Sequence, residues 1–248
     1  MTERRRYSLI DAIRGAAVIS MILYHLCYDI FCVFGVWSDF YRSTPIIIWE
    51  RSICTAFIVV SGISLHFTRH GYRRGLIVTL CGVAVTLVTV LVTPEQSIFF
   101  GVLSFLGCAM LFTYALRRVL YRIPPSVGTV LFFLLFLLCY GIPNGFIGMF
   151  SFPLLRLPET LYQFKWLSIV GFRSNDFFSA DYFPFLPWIF LYLFGYQLWR
   201  YLEQKQLDRF LYRRIPVLDF FGRHSLIIYM AHQPLLYGVC YLIFGNKS

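Results

Sequence analysis

Ionisable side chains recur along one side of the first long apolar stretch of the sequence. Arg14 and His25 are eleven residues apart, and Asp29 follows four residues later. A helix turns by about 100° per residue, so these three side chains share a face. A carboxylate beside an imidazole can fix its tautomer and raise its basicity, as a general base or an acyl acceptor requires. The spacing therefore predicts a reaction centre at His25, with Asp29 orienting the ring.

Two more charged residues, Glu50 and Arg51, lie within the second apolar stretch. At a rise of about 1.5 Å per residue, His25 lies about 16 Å beyond Arg14, and Glu50 lies about 8–10 Å from the outer end of its stretch. The two stretches thus bring ionisable groups to a similar depth. A charge there costs at least about 2.5 kcal/mol unless it is paired or hydrated. We therefore expect a polar cavity, in which Arg51 either stabilises an oxyanion or pairs with Glu50 or Asp29.

A purely structural alternative stays open for these side chains. A histidine inside a membrane helix can pack in the bundle and donate to a backbone carbonyl. Asp11, three residues before Arg14, is placed to pair with that arginine at the end of the helix.

The composition identifies the class of protein. Of 248 residues, 58% are hydrophobic and only 14% are charged, where about 25% is usual for a soluble protein. The net charge of +10 fits basic loops that orient a membrane protein better than it fits nucleic-acid binding. We expect an all-α polytopic transmembrane bundle that forms a single domain over residues 1–248.

Seven apolar runs are long enough to be membrane spans. They cover residues 9–33, 45–67, 75–93, 98–116, 126–142, 183–199 and 224–244. Segment 143–182 is then a long outer loop. Its stretch near Phe146 and Leu155 either inserts halfway into the membrane or packs as a cap over the bundle.

The distribution of basic residues predicts the orientation. With a cytoplasmic N-terminus and an outside C-terminus, the inner segments hold fifteen Lys and Arg and the outer segments five. This bias follows the positive-inside rule. The inner set includes Arg4, Arg5 and Arg6, and the outer set includes Arg42 and Lys247. The basic N-terminus is followed by no cleavage site, so we expect the first span to be retained.

The remaining candidates for chemistry are cysteines and a histidine pair. The seven cysteines form no CxxC motif and fall mostly in apolar runs, which predicts buried thiols. His66 and His70 are four residues apart at a helix end, but no third ligand is near. We therefore predict no metal site and no permanently bound cofactor.

Several segments together resemble the transmembrane acyltransferases. The Arg14-to-His25 spacing is similar to the signature of the acyltransferase-3 family. The opening Asp11-Ala-Ile-Arg14-Gly15 and the pair Ser61-Gly62 also fit this group. Three more segments, GVLSFLGCAML at 101–111, DYFPFLPW at 181–188 and FGRHSLIIYMAHQP at 221–234, resemble the bacterial heparan-α-glucosaminide N-acetyltransferase-like proteins.

The resemblance implies transfer of an acetyl or other acyl group from cytoplasmic acyl-CoA to an acceptor on the far side of the membrane. The implied acceptor is a saccharide amine or hydroxyl, and acetyl-CoA is a co-substrate. It suggests His25 as the catalytic histidine, acting as general base or as transient acyl carrier, and Arg14 as a group near the path of the acyl donor. A bacterial inner membrane is the implied location, and a homodimer is compatible with it.

Three further groups complete the predicted site. His232 and Gln233 lie about 12 Å into the last span, nearer the inner leaflet than His25, and suit contact with the thioester arm. Arg223, at the cytoplasmic start of that span, is suited to binding the CoA phosphates. Asp181 and Tyr182 open the sixth span, where they either contact the acceptor or cap the helix.

Two other functions remain compatible with the same buried groups. A transporter could use the His–Asp–Arg cluster to relay protons. A membrane scaffold without activity would need none of this chemistry. The sequence contains no inverted repeat, which argues against the transporter.

Overall fold

The computed structural model describes residues 7–34, 43–149 and 152–244, and helices form most of it. Arg4, Arg5, Arg6, Arg42 and Lys247, which entered the orientation argument, lie outside the described residues.

Eight helices are found among the described residues, and the longest connection lies between the fifth and the sixth. α1 is Ser8–Tyr28 and continues as a π-helical turn over Asp29–Val33. α2 is Thr44–Ser64 and ends in a 3₁₀ turn, Leu65–Phe67. The next helices are α3 (Gly71–Val92), α4 (Val102–Arg122) and α5 (Pro125–Cys139). After the loop come α6 (Phe185–Gln204), the short α7 (Pro216–Arg223) and α8 (Ser225–Phe244).

The expectation of an all-α membrane bundle is confirmed, with a helix at each of the seven predicted spans. Six of the described helices, α1 to α5 and α8, are long and apolar enough to cross a membrane. Large apolar side chains on them remain exposed, such as Leu91 on α3 and Leu242 on α8, each 81% exposed. Exposed apolar surface of this kind is expected where lipid covers a protein.

The helix ends differ from the predicted spans at α4. This helix begins at Val102, four residues later than expected, and extends to Arg122, six residues beyond the expected end. Arg117 and Arg118 are therefore helical and do not belong to a loop. Long basic side chains can reach water from within a helix, so a charge does not mark where the helix ends.

The helix α6 is not among these six, and much of its surface is buried by protein. Tyr192, Gln197 and Trp199 are among its buried side chains. At its start, the Phe183 N–H donates to the Phe100 carbonyl beside the first turn of α4. At its other end, Arg200 donates to the Leu120 carbonyl in the last turn of α4. The two helices therefore run side by side over the same length.

The chain divides into two compact units, and the division falls within α2. The first unit combines the chain up to Val60 with the chain from Gln206 onward. It contains α1, most of α2, α7 and α8. The second unit runs from Ser61 to Lys205 and contains α3, α4, α5 and α6.

Glycine contacts hold the first unit together at α1 and α7. A Cβ on Gly15 would overlap the Leu218 carbonyl, and a Cβ on Gly222 would overlap the Asp11 carbonyl. The two backbones can approach this closely only because both residues lack a side chain.

Glycines also allow close helix packing in the second unit. The Ser61-Gly62 pair was expected to allow close approach of another helix, and this is confirmed, because a Cβ on Gly62 would overlap the Tyr192 carbonyl of α6. Gly82 and Gly107 similarly bring α3 and α4 together.

The long connection between α5 and α6 is ordered by a hairpin and 3₁₀ turns. Strand β1 (Phe146–Met149) pairs antiparallel with β2 (Phe152–Arg156), with Phe146 opposite Arg156 and an irregularity between Ile147 and Gly148. All five residues of β2 are exposed. Both readings of this segment, membrane insertion and a cap, stay predictions.

Candidate active site

Two histidines from α1 and α8 meet inside the first unit. The ring centroids of His25 and His232 are 4.8 Å apart, with an angle of 62° between the ring planes. The Tyr24 ring packs edge-on to His25 at 5.5 Å. The His25 ring makes no hydrogen bond to any other residue that the structure describes. The structure therefore brings together two imidazoles that the sequence assigned to different depths.

The predicted depth of His232 was wrong for a physical reason. It was counted from the start of the last span, whereas the register of α8 against α1 is fixed by packing between the helices. A residue count along one helix gives the height of a side chain only when the level of the helix start is known.

One hydrogen bond determines the tautomer of His232. Its Nδ1 lies 2.6 Å from the Tyr229 carbonyl oxygen, which can only accept, so Nδ1 carries the proton. In the neutral ring, Nε2 therefore holds a lone pair. The side chain is 7% exposed, and Nε2 is buried without a hydrogen-bond partner among the described residues. His232 thus presents an unprotonated, unoccupied nitrogen inside the unit.

The neighbouring residue on α8, Gln233, binds the predicted orienting carboxylate. Gln233 Nε2 donates to Asp29 Oδ1 at 2.8 Å. Asp29 is fully buried, and neither its Oδ2 nor Gln233 Oε1 has a partner among the described residues. The carboxylate was expected to orient His25. It instead accepts a hydrogen bond from the Gln233 side-chain amide, and this bond ties the end of α1 to α8.

The backbone at Asp29 is also unusual. The Phe34 N–H donates to the Asp29 carbonyl at 2.9 Å, five residues back, which is the π-helical pattern. Such turns are rare, and they occur often at functional sites. The wide turn therefore begins at the residue whose carboxylate Gln233 contacts.

Arg14 lies about three turns before His25 on α1. Its guanidinium is 3.2 Å from the Asp11 carboxylate, which confirms the expected pair. Asp11 is 6% exposed and sits where Gly222 of α7 packs. The ion pair therefore lies at the contact between α1 and α7, and the donor-path role of Arg14 stays a prediction.

The second helix contributes Glu50 and Arg51 near the middle of α1. The adjacent Trp49 donates from Nε1 to Ser20 Oγ at 2.7 Å and packs edge-on to Tyr24 at 5.6 Å. Glu50 and Arg51 therefore lie about one turn from the level of His25, and both are half-buried. Their catalytic roles stay predictions.

Asp181 belongs to the second unit, where it caps a helix. Its Oδ2 accepts the Val102 N–H at 3.1 Å. Val102 is the first residue of α4, whose free N–H groups need such an acceptor. The sequence had suggested a cap for the sixth span, and the carboxylate in fact caps the fourth.

Tyr182 braces the loop that precedes α6. Its hydroxyl donates to the Ser168 carbonyl at 2.5 Å, and its ring packs on Phe177. Burial raises the pKa of the Tyr182 hydroxyl above its usual value, and the Arg173 cation opposes that rise. The hydroxyl therefore stays protonated as a donor at neutral pH. Contact of Asp181 or Tyr182 with an acceptor stays a prediction.

The last predicted group is Arg223, which ends α7 and is exposed beside a cavity.

His66, considered for metal binding, instead makes a 2.9 Å hydrogen bond to the Tyr196 carbonyl and stacks on the Tyr196 ring. His70 lies beyond the 3₁₀ turn, at the start of α3, so the two histidines do not share one continuous helix.

The pairing of α1 with α8 is what sequence reasoning missed. His25 and Asp29 form a polar pair on α1, and His232 and Gln233 form a second on α8. Two polar pairs in apolar helices are expected to hydrogen-bond to each other, because lipid offers neither pair a hydrogen-bond partner. That signal was present in the sequence and could have predicted the contact.

A comparison with models of protein families matches most of the chain. The family model described as "Heparan-alpha-glucosaminide N-acetyltransferase, catalytic" matches residues 6–234. No curated protein and no solved structure matches the chain. The matched region includes α1 and the start of α8, and with them His25, Asp29, His232 and Gln233.

Proposed function

Because the chain belongs to the family of heparan-α-glucosaminide N-acetyltransferase catalytic domains, we propose that it is an integral-membrane acyltransferase that uses acetyl-CoA. The donor is cytoplasmic acyl-CoA, and the acceptor is an amine or hydroxyl of a saccharide on the other side of the membrane. The bacterial inner membrane is the proposed location.

The observation that carries this proposal is the contact between His25 and His232. Neutral imidazoles are the usual general bases near neutral pH, and they can also carry an acyl group. His232 has its Nδ1 proton committed to the Tyr229 carbonyl, which leaves Nε2 basic. The centroid of the His25 ring is 4.8 Å away, so a proton can pass between the two imidazoles.

The proposed reaction balances with these two rings alone. The acceptor nitrogen or oxygen attacks the thioester carbonyl, a C–N or C–O bond forms, and the C–S bond breaks. The acceptor proton passes to an imidazole and from there to the departing CoA sulfur, which leaves as the thiol. If His25 carries the acyl group transiently, the same bonds form and break in two steps.

The pair Asp29–Gln233 acts as a positioning element in this proposal. The bond from Gln233 to Asp29 fixes α8 against α1 within one residue of His232. Orientation of reacting groups is a large part of catalysis, so a shift of this register would lower the rate. Asp29 Oδ2 and Gln233 Oε1 are buried without a donor among the described residues, so the pair is held in place by this one hydrogen bond.

The charged residues have supporting roles. Arg51 stabilises negative charge on the thioester oxygen during attack, with Glu50 holding the guanidinium. Arg14 lines the path of the donor on the α7 side of α1. Asp181 and Tyr182 take part on the acceptor side, beyond their structural contacts.

Transfer by the purified protein tests the proposal. Protein in lipid nanodiscs is incubated with radiolabelled acetyl-CoA and a glucosamine-terminated oligosaccharide. We expect the wild type to transfer acetyl groups. The kcat of His25→Ala should be lower by about 100-fold or more, since general-base catalysis contributes about 10²–10⁴-fold.

The matched control is His70→Ala, which removes an exposed histidine of the second unit. It should retain wild-type activity. Full activity in His25→Ala would contradict the role of the pair, and no transfer by the wild type to any amine or hydroxyl acceptor would contradict the function.

A further inference from the structure

One end of the second unit carries many basic side chains. The chain enters α3 there, and the last turns of α4 lie beside the start of α3, because the Tyr72 and Tyr114 rings pack edge to face at 4.7 Å. Six exposed arginines belong to these segments, and we call them the arginine cluster. They are Arg69, Arg73, Arg74, Arg117, Arg118 and Arg122.

Two glycines show the register of α3 against α4. A Cβ on Gly71 would overlap the Tyr114 ring, and a Cβ on Gly75 would overlap the Leu111 side chain. Tyr114 therefore lies level with the first residue of α3. The helix α4 continues to Arg122, eight residues farther, which is about 12 Å along the helix. The last two turns of α4 thus extend past the start of α3.

Two arginines of the cluster lie on the side of α4 that faces α3. Arg118 is four residues beyond Tyr114, and Arg122 is four residues beyond Arg118. At about 100° per residue, the three side chains share one face of the helix. Because α3 begins level with Tyr114, no residue of α3 covers the two arginines. Both are exposed, and neither makes a hydrogen bond or an ion pair with another described residue.

The charge of the cluster is not neutralised by the described residues around it. The acidic residue at this end of the second unit is Glu203, which follows Arg200 by about one turn of α6. Glu203 is exposed and makes no ion pair with any described residue. The Arg200 guanidinium adds a further positive charge, and its hydrogen bonds go to backbone carbonyls at the end of α4. The cluster therefore keeps a large net positive charge.

Exposed apolar surface continues directly from the cluster. Leu76 and Leu80 on α3 and Val119 on α4 are all exposed. Tyr72 and Tyr121, on the same segments as the arginines, are exposed as well. Tyrosines are frequent at the level where a membrane meets water. A ligand at this place would contact cations with one end and apolar side chains with the other.

We propose that the arginine cluster binds the headgroup of an anionic phospholipid. Guanidinium groups bind phosphate oxygens through parallel hydrogen bonds, and basic side chains at a membrane surface attract anionic lipid. The acyl chains of the lipid lie along the exposed apolar sides of α3 and α4. The bound headgroup reduces repulsion among the arginines and so stabilises the pairing of these two helices. This inference does not depend on the proposed function, because it concerns lipid and not the reaction.

Binding of defined lipids to the full chain in detergent tests the inference. Native mass spectrometry gives the Kd for phosphatidylglycerol and for the zwitterionic phosphatidylethanolamine. We expect Arg118→Gln/Arg122→Gln to raise the Kd for phosphatidylglycerol by about 30-fold, since each basic residue near anionic lipid contributes about fivefold. The Kd for phosphatidylethanolamine should not change.

The matched control is Arg213→Gln/Arg214→Gln, which removes two exposed arginines from the first unit. It should bind phosphatidylglycerol like the wild type. Equal Kd values for the wild type and both double variants would mean that the cluster only orients the chain in the membrane, and would overturn the proposal. An equal increase of the Kd in both variants would also overturn it, because affinity would then depend on total charge.

Competition with glycerol phosphate identifies the source of the phosphate. This molecule has the charged group without acyl chains, so it should displace phosphatidylglycerol only at concentrations higher by about 100-fold or more. Displacement at equal concentrations would mean that the cluster binds a soluble phosphate and not a lipid.

Thermal unfolding separates a loss of binding from a loss of folding. Phosphatidylglycerol should raise the unfolding midpoint of the wild type, because a ligand that binds the native chain stabilises it. The rise should be smaller for Arg118→Gln/Arg122→Gln, and it should be largely restored in Arg118→Lys/Arg122→Lys, which keeps both charges. An equal rise in the wild type and the glutamine variant would contradict the proposal.

Discussion

The Tyr229 carbonyl determines what His232 can do. Because this carbonyl accepts a hydrogen bond from Nδ1–H, Nε2 is the basic nitrogen of the neutral ring. His25 has no such constraint from the described residues, so its tautomer can change during a reaction. One ring with a fixed tautomer beside one that is free to change is a suitable arrangement for moving a proton.

The polar pair beside these rings gives a prediction at the scale of single residues. Gln233→Leu would remove the donor to Asp29 and leave a fully buried carboxylate without a hydrogen bond. Loss of one partner of a buried pair costs about 1–3 kcal/mol, so we expect the free energy of unfolding to fall by that amount. Denaturation of the detergent-solubilised protein measures it.

The control for this change is Gln204→Leu, at the exposed end of α6. It should leave stability nearly unchanged. The double variant Asp29→Leu/Gln233→Leu should recover part of the loss, because it leaves no orphaned partner. Equal stability of Gln233→Leu and the wild type would show that Asp29 has another donor.

At the scale of elements, the contact between α1 and α7 depends on two glycines. Gly222→Ala would place a methyl group against the Asp11 carbonyl of α1. Overpacking of this kind costs about 1–3 kcal/mol, and here the opposing atom is backbone, which cannot rotate away. We expect a clear fall in the midpoint of thermal unfolding.

Gly238→Ala is the matched control, because a Cβ at this position of α8 would meet nothing within 4 Å. Alanine is a better helix former than glycine by about 1 kcal/mol, so this variant should be as stable as the wild type or more so. Equal effects of the two substitutions would argue against close packing of α1 on α7.

The cap on α4 gives a second prediction at this scale. Asp181→Ala removes the acceptor for the Val102 N–H and should cost about 1 kcal/mol of stability, whereas Asp181→Asn keeps an oxygen acceptor and should cost less. Thermal unfolding of both variants measures the difference. If capping is the only role, Asp181→Asn should keep the wild-type KM for the acceptor. A raised KM would show that the charge also serves binding.

The sequence predicted the elements better than their contacts. Apolar runs located every long helix, because hydrophobic length is a local property. The bond between Asp11 and Arg14 was also predictable, since both residues lie on one helix. The contact of His25 with His232 was not found, because it depends on the register of two helices that are far apart in the chain. Asp181 was misassigned as a cap for the same reason.

At the scale of the whole molecule, the family match spans both compact units. It runs from residue 6 to residue 234, while the two imidazoles lie in the first unit and the arginine cluster lies in the second. The second unit contains α6, about half of whose side chains are buried. The cytoplasmic N-terminus and the outside C-terminus, as the basic residues predict, stay predictions.

The central claim is that the two imidazoles act as one catalytic unit in a membrane acyltransferase. Kinetics of acetyl transfer by His25→Ala, His232→Ala and the double variant, each reconstituted in proteoliposomes, test it most directly. Residues that act together have non-additive effects, so we expect the double variant to lose no more in kcat than the more damaging single variant. Losses that multiply in the double variant, or wild-type kcat in either single variant, would contradict the claim.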